Sequence, residues 1–289
     1  MSASYKPKKS SPFARVNFLM MFLLVSLALL YIPIILMVMN SFNQSTLSTS
    51  FTGFTLGWYV KLFENRTVLE AALLSIELAT LSSTVAMLMG GLIAIALVRI
   101  PKFLGRLLLT TMITAPLVMP DVITGLTQTL LFNSTKVFFG WPEQGGFGTI
   151  LIAHVTFIMA YSAVTIQSRL LTADRSLEEA AMDLGAGPVR AFIEITLPII
   201  APALLSAWLL GLTLSLDDLV IASFVTGPGA STLPMIIYSK VRVGISPEMN
   251  ALASIILGVV GGGVVLSTLL MVRAEKSRIM DEAKAAKGG

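Results

Sequence analysis

Four carboxylates stand inside otherwise apolar runs of this 289-residue chain, Glu77, Asp121, Asp217 and Asp218, and no lysine or arginine shares those runs. An ionised side chain at the centre of a bilayer costs about 2.5 to 3.5 kcal/mol on insertion scales. Such groups persist where they meet water, a proton, a headgroup or a cation, so the chemistry they offer is recognition of a positively charged cargo rather than bond making. Asp217 and Asp218 point about 100° apart on a helix and are not expected to line one pore together. Asp218 shares a stripe with Gly211, Ser215 and Ala222, suited to close helix packing, and Asp217 shares its side with Thr213. The sequence leaves open which of the two faces a pathway. Asp121 follows Pro120 and suits equally the cap of a helix restarting after Pro116 and Pro120. Glu77 stands about 9 Å from the outer end of its run, within reach of headgroups or of a pathway. The lone histidine, His154, is expected to make a helix-to-helix hydrogen bond rather than hold a ligand.

A second constellation is the stretch "SLEEAAMDLGAGPVRAFIEITLP", Ser176 to Pro198, a charged and punctuated segment between two apolar runs. Ser176 followed by Glu179 fits a capping box. A first helix is expected over Leu177 to Leu184, with Gly185 as the left-handed residue past its end. Pro188 suits the first position of a second helix, which is expected to stop before Pro198 because a residue preceding proline is pushed from the helical region. Two short helices joined by a turn can stand clear of the membrane and transmit a push, or lie in the headgroups as an interfacial helix.

The elements that must position these residues are membrane spans. The chain is 55% hydrophobic and 12% charged, with mean hydropathy +0.85. Crossing a hydrocarbon core of about 30 Å takes about 20 apolar residues. Six runs meet that length, at 18–39, 71–98, 107–131, 149–168, 199–225 and 251–272, which makes an all-α membrane protein with six transmembrane helices. The first run is too long for a signal peptide and lacks a small-residue cleavage site, so it is read as an anchor. The organisation is a tail over 1–17, a six-span transmembrane domain over 18–272 carrying the loop 172–198, and a tail over 273–289. With six spans and both ends on one side, fifteen Lys/Arg lie on that side and five on the other, a bias that places both termini and the Ser176–Pro198 segment in the cytoplasm.

That distribution also argues against nucleic-acid binding despite the net charge of +4. With no cysteine and one histidine there is no Cys/His metal site, and the fifteen methionines are read as core filling. No G-x-x-x-x-G-K-[ST] sequence occurs, so this chain carries no P-loop and no nucleotide cofactor of its own. On the outer side, Trp58 and Tyr59 suit an interfacial belt, and "TGPGASTLP", Thr226 to Pro234, is too rich in Gly and Pro to continue a helix.

The spacing Glu179-Ala180-Ala181, three residues, Gly185, nine residues, then Ile195-Thr196-Leu197-Pro198 resembles the EAA loop of ABC importer permeases of type I. "TAPLVMPDVITG" from Thr114, "LSLDDLVIASFVTGPGASTLP" from Leu214 and "SPEMNALAS" from Ser246 are similar to the polyamine branch of that family, its putrescine members more than its spermidine members. The resemblance covers nearly the whole chain, the first 17 residues apart. It implies a bacterial inner-membrane transport subunit, not an enzyme. It further implies a second permease subunit, two cytoplasmic ATPase subunits that bind ATP and Mg, and a periplasmic polyamine-binding protein. Glu179, Ala180, Ala181, Asp183 and Gly185 would meet the ATPase, and the four membrane carboxylates would pass the cation. Two other classes compete. A proton-coupled secondary transporter of organic cations also uses membrane carboxylates, but is expected to show internal repeats with broken helices in both halves. A membrane protease would place Asp121 and Asp217 as a dyad on different spans, and leaves the charged cytoplasmic segment unexplained.

Overall fold

The computed structural model describes residues 12–45, 50–100, 102–244 and 246–262, with the single positions 265 and 269. Apart from one isolated bridge between Asn43 and Phe54, the regular elements among the described residues are helices. They run α1 (Pro12–Ser41), α2 (Gly57–Glu64), α3 (Arg66–Arg99), α4 (Arg106–Val118), α5 (Asp121–Phe139), α6 (Phe147–Thr172), α7 (Ser176–Asp183) and α8 (Pro188–Ala191). A π-helical turn, Phe192–Thr196, follows, then α9 (Leu197–Asp217), α10 (Val220–Val225) and α11 (Leu233–Val243), and last α12 (Pro247–Gly262).

Among the described residues four helices are long and apolar enough to cross a membrane, within Phe18–Ser41, Arg66–Arg99, Phe147–Thr172 and Pro188–Asp217. They stand at the first, second, fourth and fifth expected runs. The third run is divided. Met119 and Pro120 are extended, with ψ of 136° and 142°, because proline forces its predecessor out of the helical region. The fifth run is also divided, since α9 stops at Asp217, Asp218 has ψ 122° and α10 starts at Val220. Two broken helices therefore exist, so helix breakage does not separate the transporter classes here. The sixth run is described only through α12 to Gly262. The tail expected over 273–289 lies outside the described residues, as does 1–11 of the tail expected over 1–17, and α1 already begins at Pro12.

Two compact units divide the chain, a terminal one drawn from Met1–Asn65 with Lys240–Gly289 and a central one from Arg66–Ser239. In the terminal unit α2 is fastened beside the end of α1. The Tyr59 hydroxyl lies 2.7 Å from Ser41 Oγ, and Trp58 Nε1 donates to the Asn43 carbonyl at 2.7 Å. Lys61 Nζ stands 4.7 Å from the Trp58 ring centroid, and Asn65 Nδ2 donates to Glu248 Oε1 at 2.6 Å.

The core of the central unit is formed by α3, α6 and α9 packed along one another, with α5 paired to α10. Leu78, Ile150, Ile158 and Ile221 are fully buried in one cluster, and Ala94, Ile166, Ile200 and Ala207 in a second. Lipid is as apolar as leucine, so the gain here is close packing rather than escape from water. Glycine sets the closeness: a Cβ at Gly90 of α3 would lie 2.8 Å from the Ala163 backbone nitrogen of α6. After α10 the Thr226–Pro234 segment, too rich in Gly and Pro to continue a helix, forms a turn closed by Thr226 Oγ1 donating to the Ala230 carbonyl at 2.7 Å. The Leu233 N–H then donates to Ser75 Oγ of α3 at 2.7 Å.

Candidate functional site: a charged two-helix segment and a set of span carboxylates

The Ser176–Pro198 segment folds as two short helices, with different punctuation at two places. Ser176 is the first helical residue rather than the cap. Arg175 holds the cap position and gives no side-chain cap bond, while Asp174, one residue earlier, accepts the Ser176 N–H with its Oδ1 at 2.9 Å. The Ser176 backbone N–H, and after it the Ser176 hydroxyl, hold the Asp174 carboxyl below its ordinary value of 3.8. The end of α7 is a Schellman turn: Ala186 N–H donates to the Ala181 carbonyl at 3.0 Å and Gly185 N–H to Met182 at 2.9 Å, with Gly185 at φ +91°. Pro188 occupies the first turn of α8 as expected, after Gly187.

The second helix does not stop before Pro198. The chain widens into the π turn, where the Leu197 N–H donates to the Phe192 carbonyl, five residues back, and α9 continues from there. A proline inside an α-helix lacks a donor and its ring strikes the carbonyl four residues back. The wider π turn relieves both, and Pro198 lies in the first turn of α9, where no N–H is required.

The segment turns little of itself inward. No residue of α7 is buried, and Glu179, Ala180, Asp183 and Gly185 are exposed, with Ala181 half-buried. Leu184 is 90% exposed and Val189 70%, so the turn presents apolar side chains outward. The exception is Glu178, which pairs with Arg99 at the end of α3 and whose Oε1 accepts the Thr196 hydroxyl of the π turn at 2.5 Å.

The two adjacent aspartates part company. Asp218 bonds inward: His154 Nε2 is 3.1 Å from its Oδ2, and its two oxygens accept the N–H groups of Ile221 at 3.2 Å and Ala222 at 2.7 Å, capping α10. His154 is 1% exposed and its Nδ1 lies 2.8 Å from Ser215 Oγ, itself 3.2 Å from Ser82 Oγ. A carboxylate only accepts, so Nε2 carries the hydrogen. In the neutral ring Nδ1 then accepts from Ser215, whose oxygen accepts from Ser82. This chain joins α3, α6, α9 and α10, and His154 makes the helix-to-helix bond expected of it. The order Ser–His–Asp is that of a nucleophilic triad, yet Ser215 is buried among its partners and Asp218 is engaged in capping.

Asp217, one residue earlier, is exposed at the end of α9, and its carboxylate interacts electrostatically with those of Asp218 and Asp121. Asp121 is exposed in the first turn of α5. It is not the cap, which falls at Pro120, though its charge suits a helix N-terminus. Glu77 is exposed on α3, and since that helix starts at Arg66 rather than at 71, it lies about 17 Å along it instead of about 9 Å. Glu77 is not brought to the other three by any contact described. Sequence reasoning missed Arg99, Glu178 and Thr196 as a group. The available signals were a second acid beside Glu179 and a basic residue closing a long apolar run.

Residues 86–279 match the family model of the "binding-protein-dependent transport system inner membrane component". The chain belongs to that family. This multi-pass inner-membrane permease is 50% identical over 277 residues to the putrescine transport system permease protein PotI of Escherichia coli strain K12, covering 96% of this chain and 99% of that protein. It is 41% identical over 261 residues to the spermidine/putrescine transport system permease protein PotC of the same strain, covering 90% and 93%. These relatives are transport subunits, not enzymes. Among solved structures, a bacterial ABC transporter for the acidic polysaccharide alginate is similar, at TM-score 0.69 and 18% identity over 90% of this chain and 95% of that one, which shows a shared fold. A second alginate transporter structure, in complex with its periplasmic protein, matches at TM-score 0.66 and 18% identity over 88% and 92%.

Proposed function

We propose that this permease passes polyamines, putrescine foremost, from periplasm to cytoplasm, driven by ATP bound with Mg on two separate ATPase subunits. A second permease subunit and a periplasmic polyamine-binding protein complete the machine, and both termini of this chain lie in the cytoplasm. The reading is supported most by the Ser176–Ala191 segment, a short helix and a Schellman turn that bury nothing of α7 and hold Leu184 and Val189 outward. Such a surface fits a groove on a partner, with Glu179 and Asp183 at its rim and Ala180 and Ala181 permitting close approach. Charge supports the cargo: Asp217 and Asp121 keep their carboxylates exposed and interact electrostatically, whereas Asp218 is engaged with His154 and α10. A diamine carries one positive charge at each end and meets such acids without a basic residue to repel it.

The test is uptake of labelled putrescine, spermidine and a neutral sugar into vesicles holding the complete transporter, with and without internal ATP. ATP-dependent uptake of the amines alone is expected. Amine uptake that follows the proton gradient and ignores ATP would overturn the reading. Gly185→Pro forbids φ +91° and removes the N–H bonded to Met182. It is expected to leave the subunit in the membrane and ATP hydrolysis in place while amine uptake per ATP falls about tenfold or more; normal uptake would remove the turn from the coupling path.

A further inference from the structure

Three elements meet at one carboxylate. Glu178 lies in the first turn of α7, pairs with Arg99 in the last turn of α3, and accepts the hydroxyl of Thr196 in the π turn that opens into α9. Each charge stands at the helix end that favours it, acid at an N-terminus and base at a C-terminus. The side chains of Arg99 and Glu178 are 17% and 21% exposed, and Thr196 is 1% exposed, so water screens this group far less than the open i,i+4 pair Arg190–Glu194 nearby. Elsewhere α7 buries nothing, so Glu178 is its inward tie. The two helices reached through that tie are the ones that carry Glu77 and Asp217.

We propose that Glu178 is a positioning residue which locks α7 to the ends of α3 and α9, so that a displacement of the coupling segment moves both spans together. This rests on the coupling reading of α7 given above. Along the chain, α7 reaches α9 only through a turn, α8 and the π turn. The Glu178 tie is a second, shorter connection: it joins α7 directly to the last residue of the π turn and, on the other side, to α3. Glu179, the neighbouring acid, is exposed and left for a partner, so the paired acids divide between an inward and an outward contact.

The experiment uses the complete transporter in vesicles with Glu178→Gln, which keeps size and an acceptor but removes the charge, and with the exchange Arg99→Glu/Glu178→Arg. Glu178→Gln is expected to hydrolyse ATP within about twofold of the parent while putrescine moved per ATP falls about tenfold, and the exchange to restore most of that ratio. A purely structural loss would lower hydrolysis, assembly and uptake together. A second readout does not depend on the cargo. The chain has no native cysteine, so once any cysteines of the other subunits are replaced, spin labels at Met182 and Leu205 report the α7–α9 distance. With the tie intact the distance is expected to be the same with and without ATP, and in Glu178→Gln to broaden. Unchanged putrescine per ATP in Glu178→Gln, no recovery in the exchange, or a label distance indifferent to the substitution overturns the lock. Absence of ATP-driven amine uptake by the parent, with the label distances behaving as expected, overturns the transport reading and leaves the lock standing.

Discussion

At the scale of single residues, Asp217 and Asp218 illustrate how one step along a helix changes what a carboxylate does. Asp218 satisfies three hydrogen-bond donors on two elements, whereas Asp217 faces outward with acidic neighbours. The amide substitutions therefore separate. Asp217→Asn is expected to lower putrescine uptake about tenfold while leaving the thermal midpoint of the purified subunit unchanged, since it removes a charge for the cargo and no internal bond. Asp218→Asn turns one acceptor into a donor facing the His154 ring or the α10 N–H groups, and is expected to cost about 1 to 3 kcal/mol, read as a lower midpoint. Reversal of that pattern would exchange the roles of the two residues.

At the scale of elements, α7 depends on its ends. Asp174 has its carboxyl pulled below 3.8 by bonds to Ser176, so its contribution is present above that value and is lost as pH falls through the lowered one. The protection factor of the Ser176 amide, its exchange measured against an unprotected amide at the same pH, is expected to hold from neutral pH down to about pH 4 and to fall in the range in which Asp174 protonates. Loss of protection near pH 6 would assign the partner of that amide elsewhere. The local punctuation of this segment was legible because Gly185 and Pro188 act through their own backbone chemistry. The expected capping box does not form because Ser176 is already helical, and its own N–H is taken by Asp174, two residues earlier. The break between α9 and α10 was illegible for a different reason: neither glycine nor proline marks Asp218, and the chain leaves the helix where His154, on another span, supplies a partner. The π turn was hidden likewise, since Pro198 reads as a stop wherever the wider ladder is not considered.

At the scale of the whole molecule, the three long helices of the central unit approach closely because small residues line the contacts. Gly90→Val would press a branched side chain onto the Ala163 nitrogen and Met159 carbonyl, which are backbone and cannot turn aside. It is expected to destabilise by about 1 to 3 kcal/mol and to lower the amount of folded subunit in the membrane, measured by thermal midpoint and expression. Four of the six expected spans followed from length and apolar content among the described residues. What the linear pattern does not encode is rotation about the helix axes. The π turn bears on this. It adds one residue to the ladder between Pro188 and Asp217, and each added residue turns everything beyond it by about 100°. The rotational phase of α9 is thus set at its N-terminal end: the same extra residue that accommodates Pro198 aims Ser215 at His154 and leaves Asp217 facing away from the core, some 20 residues and about 30 Å farther along.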